Sequence, residues 1–238
     1  EVHVAREDYD AAEAALRTAI ELSDAPQAVE RRLAALHLRQ GRTEDAIALY
    51  RAMLERDGPG AQSLVSLAQA LSRAGRGDEA QATLERAVEV APEVPETFIA
   101  LSLLHRQQED YAAALRVAEA GLERHPAHQP LLRVAATSAR DTNELRKAIA
   151  YGQQIIEQNP NDLGDRFIFA TLLDKARADR DAIILYREVV DAQRNNWAAM
   201  NNLALVLERT GNEKEALVYA RRAAQLQPDN PAVKHTIA

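Results

Sequence analysis

The stretch at residues 197–230, WAAMNNLALVLERTGNEKEALVYARRAAQLQPDN, decides the fold. Leu203, Ala204 and Leu207 recur at helical spacing in its first half, and Ala216, Ala220 and Ala223 do so in its second. Gly211 separates the halves at a point where positive φ is cheap, and Pro228 stops the second. The stretch predicts two amphipathic helices, over repeat positions 1–14 and 17–30, joined by a tight turn.

Outward from it, the pattern returns every 34 residues without insertion or deletion. One ladder runs through Ala12, Ala46, Ala80, Ala114, Ala148, Ala182 and Ala216, and a second through Ala34, Ala68, Ser102, Ala136, Ala170, Ala204 and Ala238. Every rung is small, as packed helices require where their backbones approach most closely. A fixed period of this length predicts stacked repeats in one array over residues 1–238. The frame gives six whole units, 27–60, 61–94, 95–128, 129–162, 163–196 and 197–230, with a partial unit at 1–26 and the start of another at 231–238. Leu33, Leu67, Leu101, Phe169 and Leu203 share one buried slot, each worth roughly 1.5–3 kcal/mol when covered.

A large residue at position 4, Leu at 7, small residues at 8 and 27, Gly at 15, Ala at 20 and Pro at 32 together resemble the tetratricopeptide repeat (TPR). The resemblance covers the whole chain. It implies an all-α solenoid of antiparallel helix pairs in a right-handed superhelix, with first helices lining a concave groove. Asn143 replaces the turn glycine in 129–162, while Arg177 and Arg194 stand where Gly and Pro are expected in 163–196. An altered turn or pitch is expected in those two units. Ile237 and Ala238 open a helix whose partner is missing, so the chain reads as part of a longer repeat protein.

Composition excludes several functions. The net charge of −7 argues against a dedicated nucleic-acid surface, which needs a clustered cationic footprint. Without cysteine there are no disulfides or thiolate metal sites. No apolar run approaches the ~20 residues of a membrane helix. Glycine-rich phosphate loops, Gly-x-Ser-x-Gly elbows and His-Glu-x-x-His helices are absent, so no cofactor or catalytic residue is expected. His3, His37 and His105 fall at position 11 and read as packed side chains, while His125 and His128 make at most half a metal site. Glu7-Asp8 and Glu109-Asp110 read as inter-helix turns whose acids favour the following helix start.

The groove positions carry more information. Positions 12 and 13 supply Arg39, Arg73, Arg106, Arg140, Lys175 and Arg209, and position 5 adds Arg31 and Arg133. Between them lie Val65, Ile99, Leu103 and Phe167 at positions 5 and 9. First helices hold ten basic and six acidic residues, whereas the rest of the chain sums to −11. A mildly basic inner wall on an acidic body suits a protein or peptide ligand with acidic and apolar side chains, since arginine grips carboxylates through a two-pronged fork. The terminal-carboxylate clamp of chaperone-binding TPRs is not expected: Asn202 sits at position 6, but the required Lys and first Asn are missing.

These residues predict a non-catalytic protein-binding scaffold with no nucleic-acid partner and no membrane span. The docking arm of a larger enzyme is one alternative. A structural oligomer associating through uncapped ends is another. The Ala/Arg-rich style and the phrase NNLALVLERTGNEKEAL at 201–217 resemble bacterial multi-TPR proteins of the periplasm or cell envelope that accompany exopolysaccharide assembly and export or surface-protein sorting.

Overall fold

A computed structural model describes the backbone of residues 2–237 and the side chains of residues 8–236. The side chains of His3, Glu7, Ile237 and Ala238 therefore lie outside the described residues. All described regular structure is helical. After α1 (Val2–Glu21), each 34-residue unit forms two helices: α2 (Gln27–Arg39) and α3 (Thr43–Asp57), α4 (Ala61–Arg73) and α5 (Gly77–Val90), α6 (Pro95–Gln107) and α7 (Tyr111–Arg124). The series continues with α8 (Gln129–Asp141) and α9 (Leu145–Gln158), α10 (Leu163–Lys175) and α11 (Asp179–Ala192), α12 (Trp197–Arg209) and α13 (Glu213–Leu226), then α14 (Pro231–Ile237).

Helix starts and stops follow from local chemistry. Asp110, Asp162 and Asn196 cap α7, α10 and α12, each accepting a hydrogen bond from the amide three residues on, at 2.8–3.0 Å. Within each pair the turn closes by two amides reaching back over the helix end. Gly75 and Arg76 donate to the carbonyls of Ser72 and Leu71, and Gly211 and Asn212 to those of Glu208 and Leu207.

The altered turns expected at Asn143 and Arg177 are not found. Asn143 and Glu144 donate to Arg140 and Ala139, and Arg177 and Ala178 to Asp174 and Leu173, as in the glycine turns. Both residues adopt the left-handed conformation, with φ of 64° and 62°, and Glu109 joins them at 61°. The two closing hydrogen bonds and the helices they join over-determine the turn, offsetting the roughly 1–2 kcal/mol that such backbone costs a non-glycine residue. A second expectation is also corrected: α1 runs through Glu7-Asp8 unbroken, so no inter-helix turn exists there. Position 15 of that partial unit carries Glu7 in place of glycine, and nothing in the local sequence forces a break.

The chain divides into two compact units, Glu1–Leu104 and His105–Ala238. In the N-terminal unit α1 to α5 pack successively, each helix against the next. In the C-terminal unit α7 to α14 do the same, and the first helices α8, α10 and α12 also stand side by side. The alanine ladders are the contact lines. Ala34, Ala46, Ala80, Ala114, Ala136, Ala148, Ala170 and Ala182 are fully buried, whereas Ala12 is only partly covered. Leu33, Leu67, Leu101 and Leu203 are buried at their equivalent repeat positions; Phe169 is half-buried against the C-terminal core that holds Leu203. Ion pairs latch the seams: Glu30, buried on α2, receives both prongs of Arg56 on α3 at 2.7 Å.

Candidate binding surface

In the N-terminal unit α2 and α4 present their outward positions to one concavity of about 580 Å³. Its wall carries Arg31, Arg32, Arg39 and Arg73, with Tyr50, Gln62, Ser66 and Gln69 between them. Ala28, Ala35 and Leu38 complete the lining, and Tyr50, contributed by α3, is buried while the arginines and glutamines stand further out. Among the described residues no carboxylate lines this concavity. Among the described residues Arg31, Arg32 and Arg73 form no salt bridge, while Arg39 lies 6.0 Å over the ring of Tyr9. Burial pushes the Tyr50 phenol above its ordinary pKa, with Arg31 and Arg73 pulling weakly the other way, so it remains a neutral hydroxyl at the floor.

Gln62 and Gln69 are shared with a second recess of about 420 Å³ between α4 and α6. This one is apolar: Ala61, Val65, Val94, Ile99, Ala100 and Leu103 form most of its lining, and Glu96 is its single charged residue. Leu103 is 50% exposed, a large apolar side chain open to water within a concave surface. The structure thus brings together Arg31, Arg39 and Arg73 in one recess and Val65, Ile99 and Leu103 in the next. A cationic patch passes through two glutamines into an apolar one, all within Glu1–Leu104.

The candidate residues of the C-terminal unit are placed differently. Arg133 is locked onto Asp165, itself 1% exposed, through Nε and Nη2 at 2.6 and 2.8 Å. Arg106 donates to Ser138 Oγ and to Asp141. Arg140 also reaches Asp141, at 2.8 Å. Burial opposes the Asp141 charge, yet hydrogen bonds from Arg140 and Arg106 hold its carboxyl below the usual range. Arg209 bridges Asp174 and Asp179, depressing the Asp179 carboxyl. Phe167 is half-buried with its ring 6.0 Å from Tyr186. Arg140, Lys175 and Arg209 share a polar cup with Arg177.

Sequence reasoning singled out the arginines but missed their aspartates. The signal was present in the period: Arg133 meets an acid 32 residues on, Arg106 one 35 residues on, and Arg209 one 35 residues back. The same steps from Arg31, Arg39 and Arg73 land on Ser63, Ala74 and Gln108, none of them acidic. Among the described residues Arg31 and Arg73 form no salt bridge because those steps offer them no carboxylate, whereas Arg42, Arg51, Arg56 and Arg76 of the same unit are paired.

His37 and His105 are buried at their seams, and His125 and His128 meet edge to face at 6.4 Å. Among the described residues no three His, Cys, Asp or Glu side chains gather closely enough to hold a metal ion. No described helix is long and apolar enough to cross a membrane.

Buried alanine ladders, paired helices and open recesses define an all-α helical-repeat solenoid, a class whose members are generally interaction scaffolds. The chain belongs to the tetratricopeptide repeat family: models of that repeat match residues 38–101 and residues 1–61, 99–162 and 170–231. Among solved structures it is similar to YrrB, a TPR protein with an unusual peptide-binding site, at 21% identity and a TM-score of 0.64, covering 78% of this chain and 96% of that one. It is similar also to pilF of Pseudomonas aeruginosa, at 17% identity and a TM-score of 0.68, covering 96% and 97%. A TPR protein of Parabacteroides merdae matches at 17% identity and a TM-score of 0.66, covering 98% and 93%. These identities speak to fold alone. No curated protein sequence matches the chain.

Proposed function

We propose that this protein is a non-catalytic scaffold whose N-terminal unit binds a segment of a partner protein carrying acidic side chains beside apolar ones. One observation carries the reading: arginines with no carboxylate of their own stand next to an open apolar recess on the same surface. Guanidinium groups form short, charge-assisted and often paired hydrogen bonds to carboxylates. An apolar anchor in the adjoining recess would supply the desolvated centre around which such interfaces gain their energy. Val65, Val94, Ile99 and Leu103 form a contiguous apolar lining in one open recess, the kind of surface that marks an interaction site. The likeness in fold to YrrB accords with a peptide ligand.

Selection from a random displayed-peptide library tests this. Enriched sequences should place Asp or Glu within a few residues of Leu, Ile or Phe. Enrichment of sequences without acids, or none at all, would overturn it. The narrower placement, in the bacterial envelope and with exopolysaccharide assembly, rests on sequence style. It would be abandoned if cell fractionation put the native protein in the cytoplasm.

A further inference from the structure

The cup in the C-terminal unit differs in kind from the peptide-binding surface above. It is about 480 Å³ in volume and is built where α8, α10 and α12 end, with the turn after α10 on its rim. Arg140, Lys175, Arg177 and Arg209 line it, Thr171 adds a hydroxyl, and Asp174 is its single acid. Asn143 completes the lining, and among the described residues no apolar residue belongs to it. Lining of this composition suits a small polar anion and offers nothing to an apolar anchor.

The charges here do not balance internally. Arg106 and Arg140 share Asp141, and Arg209 takes both Asp174 and Asp179. Three carboxylates are thereby consumed by three arginines, and Lys175 and Arg177 are left without a salt bridge among the described residues. Cations near helix ends ordinarily complement the carbonyl dipole. Arg177 lies beyond the last residue of α10, in the left-handed turn conformation (φ 62°) that Asn143 and Glu109 also adopt. Its position in that turn brings the guanidinium to the rim of the cup.

We infer that this cup binds a phosphoryl dianion, with Lys175 and Arg177 as its charge partners and Arg140 and Arg209 as flanking donors. Arg177 also acts on the Asp179 charge, but five cations against three carboxylates leave a surplus of two positive charges, which matches the charge of about −1.5 to −2 that a phosphate monoester carries at neutral pH. A carboxylate would satisfy one of them. Arg140 and Arg209 both line the cup, and each still has N–H groups not committed to aspartate.

Isothermal titration calorimetry of the whole chain at low salt, with inorganic phosphate, pyrophosphate and acetate, tests the assignment. Phosphate and pyrophosphate should bind at least about tenfold more tightly than acetate. The double substitution Lys175→Ala with Arg177→Gly should weaken phosphate binding about tenfold or more. Glycine suits the turn, so this variant should keep the wild-type circular dichroism and show that the loss is not unfolding. A phosphoserine tetrapeptide and its serine counterpart form a second arm. Tighter binding of the phosphopeptide than of inorganic phosphate would assign the group to a protein partner, and weaker binding to a free phosphate ester. Phosphate binding unchanged in the double variant, or no stronger than acetate binding, would overturn the inference.

Discussion

Ala80 and Gly152 show how little room the helix contacts leave. Ala80 is fully buried on its ladder, so Ala80→Leu must push α4 and α5 apart or strain a rotamer. A Cβ on Gly152 would meet the ring of Phe169 at 2.6 Å and Leu172 at 2.8 Å, where α9 crosses α10. Each substitution should destabilise the chain by about 1–3 kcal/mol, read as a lower urea midpoint. Wild-type midpoints would show that the contacts give way more easily than close packing allows. The alanine was legible as a rung because it repeats. The glycine was not, since its cause is one aromatic ring on the next helix. Ser102 fits the ladder by size, but its buried hydroxyl, without a hydrogen-bond partner among the described residues, does not follow from a spacing rule.

At the scale of the elements, turns and ion-pair latches decide how helices join. Glu109 sits at φ 61° in a turn that glycine closes elsewhere, so Glu109→Gly should stabilise the chain by about 0.5–1 kcal/mol. A lower urea midpoint would mean the side chain makes a contact that outweighs the strain. Glu13 on α1 is held by Arg17, and also by Arg42 and His37, and its carboxyl is drawn down from 4.5 to about 2. A depressed folded-state value adds stability that is full above pH 4.5 and fades as pH falls towards 2. Glu13→Gln should therefore lower stability near neutrality, and its difference from wild type should shrink through that window. A difference independent of pH would remove the carboxylate from the account. Helix bounds were legible because period, caps and prolines agree. The turns at Asn143 and Arg177 depart from what residue preference predicts, because two closing hydrogen bonds hold each of them in the glycine geometry. The expected break at Glu7-Asp8 failed for the converse reason, acids alone being too weak a stop signal.

On the scale of the whole chain, charge decides which surface is available. The chain is acidic overall, yet its first helices are net basic, and the periodic spacing of acids determines which arginines are spent internally. The sequence displayed the arginines of both units equally. Only the pairing of Arg106, Arg133 and Arg209 with aspartates in adjoining repeats separates structural cations from free ones. The most direct test compares fluorescence anisotropy titrations of one acidic, leucine-containing peptide from the library against wild type, Arg31→Glu with Arg73→Glu, and Arg133→Gln. Reversing the two free arginines should weaken binding about thirtyfold or more, because like charges then face the ligand. Arg133→Gln should leave affinity unchanged in folded protein, since that side chain belongs to Asp165. Equal affinity of the charge-reversed protein would contradict the account.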